Sequence, residues 1–65
     1  MRKEDIGNNV KQLRKRAGLS VKELAEVAGV SASYVYSIEA GTRGSNIHKL
    51  NKIAKALGVT VMELW

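Results

Sequence analysis

Ile6, Val10, Leu13 and Ala17 follow one another at steps of four, three and four, the repeat of one helical face. The spacing predicts a first helix over about Asp5 to Ala17, closed by Gly18 as a left-handed cap. Ser20 with Glu23 three residues on reads as a capping box. It opens a second helix with Leu24, Ala25 and Ala28 on its inner face, ended by Gly29. Val30 reads as a buried link, and Ser31 caps a third helix with Val35 and Ile38 inside and Gly41 at its end. The stretch "GTRGSN" is a loop, after which Asn46 caps a fourth helix striped by Ile47, Leu50, Ile53, Ala54 and Leu57. Gly58 stops that helix, and "VTVMELW" reads as a short fifth helix capped at Thr60, with Val61, Leu64 and Trp65 apolar. The expected fold is all-α, a compact five-helix bundle formed as one domain over residues 1–65. Helices this short are marginal in isolation, so packing must supply the stability.

The stretch between Val21 and Ile38 carries a further geometry. Ala25 is small and lets two helices approach, Gly29 permits a positive φ at a sharp turn, and Val30, Val35 and Ile38 fill the space beneath. Two helices at a steep angle joined by so short a turn form a helix-turn-helix unit, here over about residues 20–40.

Composition narrows the function classes. A chain of 65 residues buries only about 60% of the surface its unfolded form exposes. There is no cysteine and a single histidine, which excludes disulfides, thiolate metal sites and histidine clusters. No metal or cofactor is expected. The opening "MRKEDIGNNV" has no apolar run of a secretory leader, and no window approaches a membrane span. Eleven Lys and Arg against six Asp and Glu leave a net charge of +5, which suits a polyanionic partner such as nucleic acid. General acid–base chemistry needs positioned titratable groups in a cleft, and the residues offer no acid pair, glycine-rich phosphate loop or nucleophile with its base. An enzyme is not expected.

The segment "LSVKELAEVAGVSASYVYSIEAGTRGSNIHKLNKIAKALGVTVMEL" resembles the Cro/C1-type helix-turn-helix domain of phage repressors and xenobiotic-response-element regulators. The likeness covers about Ile6 to Leu64, and "SASYVYSIEAG" is similar to the sporulation and biofilm repressors of that family. It implies a five-helix domain that binds a near-palindromic operator in double-stranded DNA as a homodimer. The third helix would enter the major groove with its N-terminal residues toward the bases. Position by position, it implies base reading by Ala32, Ser33, Tyr36 and Ser37. Phosphate contacts would come from Ser20, Val21, Lys22, Ser31, Tyr34, Arg43 and Asn46, with Tyr34 near the sugar-phosphate wall. It also pairs Arg14 with Glu39 in a partly buried salt bridge that locks the reading helix. A cytoplasmic, nucleoid-associated protein of bacterial or phage type is the corresponding expectation.

The chain departs from the family pattern in places. Val21 stands where many members carry glutamine, and Ala40 where a polar or basic residue is common. The third helix has no Arg, Lys, Asn or Gln for bidentate base pairing, so discrimination leans on Tyr36, Arg43, water and DNA shape. Several residues keep a plainer reading: "SASY" as a small-residue helix surface, Arg43 as a solvated loop charge, His48 as a surface residue. Lys11, Lys15, Arg16, Lys49, Lys52 and Lys55 read as solvated faces. Leu64 and Trp65 cap the core, line a two-fold interface or lead into further chain. A protein-interaction module or antitoxin-type helix-turn-helix with weak DNA specificity is the second reading of the same residues.

Overall fold

The computed structural model describes residues 3–42 and 46–64, with side chains from Ile6 onward. The expected phosphate contact at Arg43, the Gly44 and Ser45 loop and the apolar Trp65 lie outside the described residues. Four α-helices follow in order: α1 Lys3–Arg16, α2 Val21–Ala28, α3 Ala32–Ala40 and α4 Ile47–Ala56. A 3₁₀ turn, Val61–Leu64, comes after them.

That last element corrects the expected fifth helix. Glu63 N–H donates to the Thr60 carbonyl at 3.0 Å, a tightened i→i+3 bond. The Glu63 carboxylate folds back to accept from Thr60 N–H at 2.7 Å and from its hydroxyl at 3.1 Å. These bonds close within four residues, so the element is a single turn. The first helix also starts two residues earlier than its apolar spacing indicates, at Lys3.

Each helix stops by the same chemistry. After α2, Gly29 adopts φ 73°, which a side chain would strain, and its N–H reaches back into the helix. Val30 N–H then closes onto the Ala25 carbonyl at 3.0 Å. Leu19 and Val59 make the equivalent closing bond after α1 and α4, and all three apolar residues tuck against the core. After α3 the closing residue is Thr42, whose N–H reaches Ser37 O at 3.1 Å and whose hydroxyl donates to the same oxygen at 3.3 Å.

One apolar cluster joins the elements. Val10 of α1, Leu24 of α2, Val35 of α3, Leu50 and Ile53 of α4 and Leu64 of the final turn are fully buried in it. Ile47 departs from the expected stripe of α4, being 53% exposed. It sits directly after the Asn46 cap, where the first turn has not yet come over the core.

Two contacts outside the apolar pattern set how α1 docks. Gly7 is buried, and a Cβ placed on it would run into the Ile38 carbonyl oxygen, with the Glu39 carbonyl oxygen also at 3.0 Å. Only a glycine lets α1 lie this close to the end of α3. Two residues along, Asn9 Nδ2 donates to Leu64 O at 2.8 Å and ties α1 to the final turn.

Candidate nucleic-acid interface

The sequence of α3 sorts its faces by phase. Val35 and Ile38 point into the core, so the helical repeat turns Ser33, Tyr36, Ser37 and Ala40 the other way. Tyr36 is 63% exposed, Ser33 is exposed, and Ser37 and Ala32 are half-buried. Four residues expected to face bases therefore lie on or beside one outward surface. The surface bears no charge, because the only ionised side chain of α3, Glu39, is turned to Arg14.

Arg14 holds α3 in place. Its Nε donates to Glu39 Oε2 at 2.7 Å and its Nη2 to Oε1 at 3.1 Å. The third arm, Nη1, donates to the Leu19 carbonyl at 2.8 Å. The two side chains are only 12% and 9% exposed, so the fork is satisfied in a largely dry setting. Hydrogen bonding to Glu39 pushes the Arg14 guanidinium above its ordinary range, against the opposing cost of burial. Arg14 thus links α1, α3 and the turn before α2 through one side chain.

Tyr34 is a correction. Expected near the sugar-phosphate wall, it is 2% exposed and belongs to the core. It lies one turn before Ile38 on the same stripe, which carries its ring inward. The Lys49 ammonium lies over that ring, 4.9 Å from its centre. Lys49, expected as a solvated face, is exposed and at the same time bridges α4 to α3 through a cation–π contact.

The helix beginnings are already occupied by their own side chains. Ser31 Oγ accepts from Tyr34 N–H at 3.1 Å, so the hydroxyl caps α3 and keeps its proton for an outside acceptor. Asn46 Oδ1 accepts from His48 N–H at 3.0 Å and Lys49 N–H at 3.2 Å, leaving the amide nitrogen to donate outward. His48 is exposed, as its position beside Ile47 implied. At α2, Glu23 N–H donates to Ser20 Oγ at 3.0 Å while Ser20 N–H donates to Glu23 Oε1 at 2.8 Å. Val21 turns its side chain into the core at 8% exposure. The end of α2 can therefore meet a phosphate only through the Val21 and Lys22 N–H groups, the Ser20 hydroxyl and the exposed Lys22 ammonium.

The capping box carries a pH signature. The Ser20 backbone N–H, and after it the Ser20 hydroxyl, hold the Glu23 carboxyl below the ordinary carboxylate range. A depressed folded-state value contributes stability above the unfolded value, about 4.3, and that contribution is lost as pH falls through the folded value. Glu23→Gln keeps the acceptor but removes the titration. The melting temperatures of the two proteins are expected to draw together as pH falls from the ordinary carboxylate range through the lower folded-state value of Glu23. A constant gap from neutral to acid pH would refute the assignment.

The site can be set against known proteins. A family profile described as Helix-turn-helix (HTH_3) matches residues 10–64. SinR of Bacillus subtilis, an HTH-type transcriptional regulator, is 45% identical over 60 residues, covering 91% of this chain and 54% of SinR. The chain thus spans about half the length of that relative. Control protein C.SmaI of Serratia marcescens is 36% identical over 62 residues, covering 95% of this chain and 74% of C.SmaI. Among solved structures, the restriction-modification controller protein C.AhdI from Aeromonas hydrophila superimposes with a TM-score of 0.93 at 33% identity, over 97% of this chain and 96% of that one. SinR in complex with DNA superimposes with a TM-score of 0.87 at 45% identity, over 91% of this chain and 95% of that one. With its capped α2–Gly29–α3 unit, its forked Arg14–Glu39 pair and these likenesses over nearly its whole length, the chain belongs to the Cro/C1-type helix-turn-helix (HTH_3) family.

Proposed function

We propose that this chain is the DNA-binding domain of a sequence-specific transcriptional regulator, a repressor that occupies a near-palindromic operator as a homodimer with α3 in the major groove. The observation that carries the reading is the outward face of α3: Ser33, Tyr36 and Ser37 stand on a helix locked by Arg14, in a fold matching that of SinR solved with DNA. An uncharged reading helix suits an arrangement in which bases are met by hydroxyls and by the Tyr36 ring. Attraction to phosphate then falls to the cationic residues outside α3, which supply the +5 net charge. Ala32 completes the base-facing surface, and its methyl can meet only a thymine methyl. Ser20, Lys22, Ser31, Asn46 and Arg43 are the proposed phosphate contacts.

The domain measures 25 × 21 × 20 Å, less than the roughly 34 Å between half-sites one DNA turn apart. One copy therefore addresses one half-site, and a palindrome calls for two. Such a protein, of bacterial or phage type, works where the DNA lies, in the cytoplasm in association with the bacterial nucleoid, and no enzymatic step belongs to the reading.

Selection from a pool of random duplex DNA at two salt concentrations tests it. Enrichment of a two-fold symmetric site, with retention falling steeply as salt rises, is the expected outcome. A second reading, a protein-docking module, is favoured by one observation: the buried Val21 and the Glu23 carboxylate leave the α2 end a weak phosphate site. No retention on DNA even at low salt would select it.

A further inference from the structure

Ser37 donates its hydroxyl proton to the Ser33 carbonyl oxygen at 2.9 Å. The direction of this bond is fixed by chemistry, because a carbonyl oxygen has no proton to give. A serine hydroxyl has one proton and two acceptor positions, so the bond leaves Ser37 with acceptors alone on its half-buried outer side. Ser33 differs: it is exposed, and among the described residues its hydroxyl makes no hydrogen bond. It is free to donate or to accept.

The major-groove edges of the four bases divide along the same line. Adenine N6 and cytosine N4 carry amino groups that donate, whereas guanine O6 and N7 and thymine O4 only accept. Meeting guanine or thymine would require Ser37 to turn its proton outward and forfeit the bond to Ser33. Ser33 pays no such penalty with any base.

Resting on the DNA-binding reading above, we infer that Ser37 is a one-way reader that selects an exocyclic amine, on adenine or cytosine, at one position of each half-site. Ser33 contributes a tolerant position beside it. A helix without Arg, Lys, Asn or Gln thereby gains one selective polar contact from an intrahelical bond that orients it.

The test runs the random-duplex selection with the wild-type domain and Ser37→Ala in parallel. A single hydrogen bond implies a preference of about 3–10-fold at the affected position. One column in each half-site, adenine or cytosine on the contacted strand, is expected to lose that preference in Ser37→Ala, with the remaining columns kept. Replacing that base by an analogue lacking its amine should weaken the wild type by the same factor and leave Ser37→Ala unaffected. The variant should melt at or slightly above the wild-type temperature, since a serine bonded back to the preceding turn adds little to a helix. A lost column that specifies guanine or thymine overturns the inference, as does a profile in which no column changes. Both outcomes leave operator binding standing. Failure of the wild-type domain to enrich any site removes the DNA-binding reading together with the inference.

Discussion

Gly7→Ala is expected to lower the melting temperature by roughly 10–15 °C, the equivalent of about 2–3 kcal/mol in a domain this small. On an unpacked helix the same change would help, by about 1 kcal/mol. Here the added methyl meets the carbonyl oxygens of Ile38 and Glu39. These are backbone atoms at the end of α3 and cannot step aside as a side-chain tip would. Relief therefore requires α1 to shift off α3 as a body, loosening the Arg14 fork at the same time. A total stability of about 3–10 kcal/mol is ordinary for this length, so the loss is a large fraction of it. Asn8→Ala, one residue on and exposed, is the matched control and should melt at or above wild type. If Gly7→Ala melts there as well, α1 does not lie as close to α3 as described.

Arg14→Ala should cost about 2–4 kcal/mol, since removing one partner strands a largely buried carboxylate. The side chain makes bonds to both Glu39 oxygens and to the Leu19 carbonyl, and lysine cannot reproduce that fork. Arg14→Lys should therefore recover only part of the loss. Glu39→Ala should destabilise too, and the double alanine variant should fall short of the sum of the singles, because the second removal no longer breaks a pair. Thermal melts of the four proteins decide the matter. A lysine variant equal to wild type would reduce the fork to simple charge attraction. An unchanged Glu39→Ala melt would dismiss the lock altogether. The guanidinium stays ionised throughout any practical pH range, so the Arg14 charge adds no pH dependence of its own.

Local chemistry was the legible part of this chain. The serine and asparagine caps and the glycine stops act within one turn, so three to six residues suffice to recognise them. Once Val35 and Ile38 point inward, the outward phase of Ser33, Tyr36 and Ser37 follows from geometry alone. Gly7 and Asn9 were illegible for the opposite reason. Their partners, at Ile38 and Leu64, lie far along the chain, and neither residue breaks its helix or marks an end. Tyr34 falls between these cases. Its place four residues before Ile38 signals burial, whereas the family likeness points it at a groove wall, and the core position prevails. Thr60 carries the same cap signature as Ser20, yet the element it opens is a 3₁₀ turn, Val61–Leu64, because its closing bond runs from Glu63 N–H to the Thr60 carbonyl three residues back. The orientation of the Ser37 hydroxyl depends on a rotamer, and no residue spacing encodes that.

The bond from Asn9 to the Leu64 carbonyl spans 55 positions of chain. Drawing so long a loop together costs more chain entropy than closing any single helix. A clasp of such sequence separation is expected to close late in folding, and the folding and unfolding rates of Asn9→Ala test that order. Contacts that form after the transition state leave the folding rate nearly untouched and slow unfolding instead. Asn9→Ala is then expected to shorten the lifetime of the native state and leave the speed of reaching it nearly unchanged; a folding rate that drops in step with stability would place the clasp earlier.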